Sequence, residues 1–370
     1  MGQQIRMTVF ALIACAAIAQ NGPSSPGETA LKTQFVVVQT DVQPEVKLEV
    51  LDWGGTGRNL VLLAGLGNTA HVFDSLGPKL AAHYHVIGIT RRGFGRSSAP
   101  QTGYDPGRLG DDVVAVLDAL HIADPVLVGH SIAGEELSAV STYHPGRAAA
   151  LVYLDATGTF ALYNPRYGDY TPGLAELKDD LSALQKNLFD DALISKTLTD
   201  MALFQPYLAD IRGEVEGATP PSPKANDLAS ISAFQSYMKG YYGGIVPESE
   251  VRQNFRIGED GRVGEWLGHG YANQSVMLEE ERFHSIETPL LAILSYPSAP
   301  CPCQTSDPAK LAAARATEKR REEAQISIFR QQPHARVIVI PNATHFIFLS
   351  REEEVISQIS DFVNSLPAKR

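Results

Sequence analysis

The chain has 370 residues, 44% of them hydrophobic and 20% charged, with a formal net charge of -11. That much apolar material builds a large core and excludes a disordered chain, and an acidic surface without a long Lys/Arg run repels a phosphate backbone, which excludes nucleic acid as a partner. Three cysteines, Cys15, Cys301 and Cys303, supply neither a disulfide framework nor a four-ligand zinc site, so neither a metal nor a cofactor is expected.

In chain order, Arg6 precedes the apolar run Met7 to Ala19. It is too short to span a bilayer as a helix and has the length of a signal-peptide core. Residues 1–19 therefore read as an export signal cleaved after Ala17-Ile18-Ala19, giving a periplasmic or secreted product with no transmembrane span. The alternative is Leu12-Ile13-Ala14-Cys15, which resembles a bacterial lipobox: the signal would end before Cys15, which would carry a lipid anchor. Residues 20–33, with the polar Asn21 to Glu28 stretch, read as a flexible leader. In an exported chain Cys301 and Cys303 meet an oxidising compartment. A local loop staple or two free thiols fits that spacing better than a redox site.

Mostly apolar runs at Gln34 to Thr40, Val46 to Leu51, Asn59 to Ala64, His85 to Ile89, Pro125 to Gly129, Ala149 to Leu154, Pro289 to Leu294 and Arg336 to Ile340 predict strands, several of them buried on both faces. Helical patterns lie between most of them, as in Arg108 to Leu120 with apolar residues at 109, 113, 116, 117 and 120. The alternation predicts an α/β fold with a mainly parallel, doubly wound sheet. Its core would comprise residues 34–155 and 288–370. Between them, residues 156–287 read as a helical lid that carries Tyr163, Tyr167, Tyr170, Tyr207, Tyr237, Tyr241, Tyr242 and Tyr271. Tyrosine suits a half-wet pocket wall, although lid packing accounts for any single one.

The sharpest local signal is Val126-Leu127-Val128-Gly129-His130-Ser131-Ile132-Ala133-Gly134. A buried strand runs straight into a serine between small residues and then into a helix, which is the pattern of a nucleophile elbow. Gly129 and Ala133 leave room for the sharp turn that projects the Ser131 hydroxyl above the sheet. Three further segments follow the same logic in order: Asn59 to Phe73, Thr90 to Ser97 (TRRGFGRS) and Val337 to Phe346 (VIVIPNATHF). Together, from about Val46 to the C-terminus, they resemble the α/β-hydrolase fold superfamily. Ala64-Gly65 stands in place of its commoner His-Gly, and Thr90 stands where Asp is usual.

The resemblance implies Ser131 as nucleophile and His345, in the loop after the last strand, as general base. The acid follows one of two strands. Down the helix from Ser131 is about 13 residues at roughly 1.5 Å, and back along the next strand about six at roughly 3.3 Å. The two legs are equal, which brings Asp155 level with Ser131. The later strand is followed by Ser295 to Ser306 without a carboxylate; its first acid is Asp307, which reads better as a helix N-cap before Pro308. Asp155 is therefore the predicted acid and Asp307 the alternative. The family's oxyanion donors map to the backbone N–H groups of Ile132 and Leu66.

Lesser features have plainer readings. Glu135 and Glu136 suit the electropositive start of a helix, Lys319 to Glu323 a solvated helix face, and Gly54 to Gly57 a hairpin turn. The expected activity is that of an exported serine hydrolase that cleaves small-molecule carboxylic esters through an acyl-enzyme. Alternatives within the fold are carbon-carbon bond hydrolysis and an aminopeptidase-like activity, for which Glu279, Glu280 and Glu281 could hold a substrate ammonium. From another class, a ligand-binding protein without turnover is the competitor.

Overall fold

The computed structural model describes residues 31–39, 44–156, 161–163, 171–217, 222–299 and 307–367. The expected signal segment, both versions of its cleavage site, Cys15, Cys301 and Cys303, and Tyr167 and Tyr170 lie outside them. So does the leader, except for its end. There the structure corrects the sequence reading: strand β1 (Lys32–Gln39) starts inside residues 20–33, with Lys32 opposite Asp52 and Thr33 opposite Leu51. An exposed edge strand needs apolar residues on only one face, so its polar start carries no strand signal.

The main sheet continues through β2 (Val46–Gly54), β3 (Asn59–Leu63), β4 (His85–Ile89), β5 (Val126–His130) and β6 (Ala150–Leu154). After a small antiparallel hairpin, β7 (Phe255–Ile257) with β8 (Val263–Trp266), it resumes with β9 (Leu290–Ser295) and β10 (Ala335–Ile340). Its eight strands lie in the order β1-β2-β4-β3-β5-β6-β9-β10. Only the β1–β2 and β2–β4 pairs are antiparallel, so the sheet is mainly parallel.

Helices cover both faces: α1 (Leu76–Leu80), α2 (Pro106–Ala119), α3 (Ala133–Tyr143) and, after the helices of the insertion, α9 (Pro308–Arg330), α10 (Ile347–Ser350) and α11 (Glu352–Ser365). The double cover explains the continuous apolar runs. Along β3, Val61 and Leu63 face the layer holding Val113, Leu117 and Leu137, whereas Leu60 and Leu62 face Leu76, Ile359 and Phe362. Each such side chain contributes about 1.5–3 kcal/mol on burial.

Between β6 and β9 the chain forms α4 (Thr171–Lys186), α5 (Asp191–Gly217), α6 (Ile231–Tyr242), α7 (Glu248–Asn254) and α8 (Gly270–Leu278). Packing divides this insertion. Helix α4 lies on α5, which reaches α9, while α7 docks on the 3-10 turn Ala70–Phe73 just beyond β3. Helices α6 and α7 bury Phe234, Met238, Val246 and Val251 in a small core of their own. In α9, Lys319 and Glu323 pair on the exposed face as expected. Glu322 departs from that reading: it is half-buried, and burial pushes its carboxyl up to about 7 against a bond from Ser298.

Candidate active site

Strand β5 ends at His130 and α3 begins at Ala133, so the chain must turn within two residues. Ser131 does this in the left-handed region, φ +56°, at a cost of about 1–3 kcal/mol for a residue with a side chain. Its N–H donates to the Leu154 carbonyl at 3.1 Å, and its carbonyl accepts the Gly134 N–H at 2.9 Å. A Cβ at Gly129 would stand 2.3 Å from Leu137 Cδ1 and 3.0 Å from the Ala133 carbonyl oxygen. Backbone cannot yield there, which is why position 129 must be glycine.

Strand β6 runs parallel to β5 with His130 opposite Leu154, so Ser131 and Asp155 leave the same sheet edge side by side. Asp155 is also left-handed, φ +45°, and its N–H donates to the Ile293 carbonyl at 2.9 Å. One carboxylate oxygen, Oδ1, accepts the Ser295 N–H at 2.8 Å. The other, Oδ2, lies 2.9 Å from His345 Nδ1. An ionised carboxylate only accepts, so Nδ1 carries the proton and leaves Nε2 as the acceptor. Nε2 lies 2.8 Å from Ser131 Oγ. The buried Asp155 thus orients an imidazole whose side chain is 45% exposed, open to an incoming substrate. Asp307 sits elsewhere, at the start of α9, where its Oδ1 accepts the Ala309 N–H at 2.9 Å.

His130 supports this arrangement. It is fully buried, and its Nε2 donates to the His345 carbonyl at 2.9 Å, tying the nucleophile's strand to the histidine loop. Burial and the neighbouring His345 hold His130 well below the usual imidazole range. It therefore stays neutral and places no second positive charge beside His345.

The loop after β3 lies directly against the serine. A Cβ at Gly65 would meet His130 Nδ1 at 2.7 Å and Ser131 Cβ at 3.2 Å. Among the described residues, no hydrogen bond takes up the N–H of Leu66 or of Ile132. Two free backbone donors beside a nucleophile can hold a developing oxyanion.

Arg91 braces the start of this loop. Its Nη2 donates to the Ala64 carbonyl at 2.8 Å, while Nε and Nη2 reach Glu136 at 2.6 and 3.0 Å. Both partners are buried. Burial pushes the Glu136 carboxyl up, and Arg91 pulls it back. Glu136 is therefore the partner of Arg91 rather than only a charge at a helix start. Glu135 corrects the same reading: it is buried without a hydrogen-bond partner, and burial, aided by Glu280, pushes its carboxyl well up. The departure at Thr90 also has a counterpart in space. Its hydroxyl donates to Glu49 Oε2 at 3.2 Å and accepts the Ala70 N–H at 3.1 Å, so the carboxylate at this corner comes from β2.

His71, just beyond the loop, lies 2.8 Å from Asp74 and 3.9 Å from Glu49. Burial alone would lower its pKa, but the two carboxylates outweigh it and raise it to about 9. The stabilisation this provides is complete below the unfolded value of about 6.5 and is lost as pH rises through about 9. Urea unfolding should therefore show the protein losing about 1–2 kcal/mol between pH 6 and pH 9.5 from this site, less than the full shift because solvent screens part of the ring. His71→Asn should remove that slope, and an unchanged slope would refute the assignment.

The tyrosines and carboxylates of the insertion take varied places. Tyr242 is half-buried and stacks on Phe346, ring centroids 3.8 Å apart, whereas the Tyr271 hydroxyl donates to the Ala99 carbonyl. Glu281 accepts the Tyr143 hydroxyl at the far end of α3, and Glu279 accepts backbone bonds from Tyr104 and Asp105 at the start of α2. The contacts of these two carboxylates are with those helix ends rather than with Ser131 or His345. No group of three or more His, Cys, Asp or Glu side chains suited to a metal occurs among the described residues.

The family model described as the alpha/beta hydrolase family matches residues 60–358, and the chain belongs to that family. It is 37% identical over 108 residues to the non-heme chloroperoxidase of Streptomyces lividans, covering 28% of this chain and 39% of that protein. It is 27% identical over 103 residues to the 2-(acetamidomethylene)succinate hydrolase of Mesorhizobium japonicum, covering 28% and 37%. These matches span well under two thirds of the relatives' lengths. The crystal structure of E-2-(acetamidomethylene)succinate hydrolase superposes with a TM-score of 0.54 at 18% identity, over 90% of this chain and 100% of that one, which is likeness of fold.

Proposed function

We propose that the protein is a serine hydrolase that cleaves small-molecule carboxylic esters through an acyl-enzyme. The observation that carries this reading is the unbroken chain from Ser131 Oγ to His345 Nε2 and from His345 Nδ1 to Asp155, at 2.8 and 2.9 Å, beside two unoccupied backbone donors. Ser131 Oγ attacks the ester carbonyl carbon while His345 Nε2 takes its proton. The carbonyl oxygen becomes an oxyanion held by the Leu66 and Ile132 N–H groups, each worth about 3 kcal/mol. Collapse breaks the carbon-oxygen bond, and the alkoxide leaves with the proton from His345. A water molecule then repeats the cycle on the acyl-enzyme, yielding the acid and free Ser131. Asp155 remains ionised throughout and stabilises the imidazolium.

Helices α4 and α5, which carry exposed apolar residues such as Leu174, Leu181 and Leu198, would serve as the movable part of a lid. The apolar segment 7–19 supports export, with anchoring through Cys15 as its variant.

A fluorophosphonate probe should add one phosphonyl group per molecule at Ser131, located by peptide mapping, and Ser131→Ala should abolish both labelling and hydrolysis of 4-nitrophenyl acetate. A folded wild-type sample that neither labels nor hydrolyses would favour a binding protein without turnover.

A further inference from the structure

The loop of residues 64–69 is fastened by hydrogen bonds at both ends. Arg91 holds the Ala64 carbonyl at one end. At the other, Glu250 of α7 accepts bonds from Asn68 Nδ2 at 2.9 Å, from the Thr69 N–H at 3.1 Å, from the Thr69 hydroxyl, and from Asn254 Nδ2 at 2.8 Å. Between these ends, Gly67 has φ +77° and nothing within 4 Å of where a Cβ would stand. On that side lies a cavity of about 120 Å³ bordered by Gly67, Asn68, Tyr242, Glu250 and Trp266. Leu66 packs against the cluster of Phe94 and Ile132, and Gly65 lies against His130 and Ser131; on the side of Gly67, which no packing holds, the loop depends on the two fastenings.

We propose that Glu250 is a positioning residue for the oxyanion hole: through Asn68 and Thr69 its carboxylate sets where the Leu66 N–H points, making α7 of the insertion part of the catalytic body. This rests on the serine hydrolase reading above.

Three features support the assignment. Glu250 is fully buried and spends its acceptor capacity on four donors; burial pushes its carboxyl up to about 7 against the bonds from Thr69 and Asn68 and the nearby His71, and in its ionised form those bonds are roughly twice as strong as neutral ones. Helix α7 is itself pinned to the body, because Ser249 donates to Asp74. The preceding turn reaches the other half of the site: the Thr344 hydroxyl donates to the Tyr242 carbonyl at 2.8 Å, and the Tyr242 side chain bonds Asn68 while its ring stacks on Phe346. One segment of the insertion thus touches both the oxyanion loop and the histidine loop.

The test compares Glu250→Ala and the isosteric Glu250→Gln with wild type on 4-nitrophenyl acetate, with kcat expressed per site titrated by fluorophosphonate. Gln keeps one acceptor but turns an NH2 toward donors. We expect kcat per site to fall about 100-fold in Glu250→Ala and about 10-fold in Glu250→Gln, with KM within about threefold. Phenylboronic acid, which forms a tetrahedral adduct on serine, should bind correspondingly more weakly to both. Folding damage alone lowers the number of titrated sites and leaves kcat per site unchanged. A kcat per site within twofold of wild type, or a loss confined to KM, overturns the proposal; if Glu250→Ala does not fold, Glu250→Gln decides. Failure of wild type to label would overturn the hydrolase reading instead.

Discussion

Asp155→Asn is expected to lower kcat on 4-nitrophenyl acetate by about 10⁴-fold, whereas Asp307→Asn leaves it within about twofold. An asparagine at 155 could keep the Ser295 bond through its oxygen but would turn an NH2 toward His345 Nδ1. The imidazole would then place its proton on Nε2, where it can no longer accept from Ser131, and the positive charge formed during attack would lose its counter-charge. Asp307 stands at the start of α9, where it accepts the Ala309 N–H, so loss of that cap costs about 1 kcal/mol of stability. Steady-state kinetics on the two folded variants decides the matter. Full activity in Asp155→Asn would remove that residue from the site.

The second large effect is on stability. Arg91→Met should destabilise the fold by about 3–5 kcal/mol, because it strands the buried Glu136 carboxylate and releases the Ala64 carbonyl. The double variant Arg91→Met with Glu136→Leu should recover most of that loss, since a buried ion pair replaced by apolar side chains of similar size is often close to neutral. Its turnover should stay low, because the oxyanion loop has lost its brace at Ala64. Denaturant titration of the three proteins measures the first claim and kcat the second. If the single variant is as stable as wild type, the pair is not structural; if the double variant regains full turnover, the brace has no catalytic consequence.

Much of the fold was legible in the residues. The eight strands of the main sheet fall within a few residues of the predicted runs, most closely in β3, β5, β6 and β9, where burial on both faces leaves little freedom in composition. The edge strand β1 and the β7–β8 hairpin were the weak points. One begins with Lys32 and Thr33 and the other is half-exposed, so neither needs a continuous apolar pattern.

The site divides in the same way. Ser131, Asp155 and His345 stand at strand ends or just beyond them, where chain geometry dictates that they share one edge. The parallel register of His130 with Leu154 then places the first two side by side. The residues that brace them were not legible. Glu250 is one of two acids on a polar-looking helix, Glu136 reads as a favourable charge at a helix start, and Arg91 is one of two adjacent arginines in TRRGFGRS. Each draws its meaning from a partner 45 to 182 residues away, a distance at which local pattern carries no information.

What the sequence determined by itself is therefore the part that obeys periodicity and local turn geometry: the parallel sheet, the elbow at Ser131, and the order of motifs that brings three side chains to one edge. Only the tertiary structure decided which buried charges neutralise one another, that the insertion supplies Glu250 to the loop of Leu66, and that β2 supplies the carboxylate missing at Thr90. The reason is electrostatic. A buried charge must find a partner wherever the fold brings one near, and that choice depends on the whole chain's path.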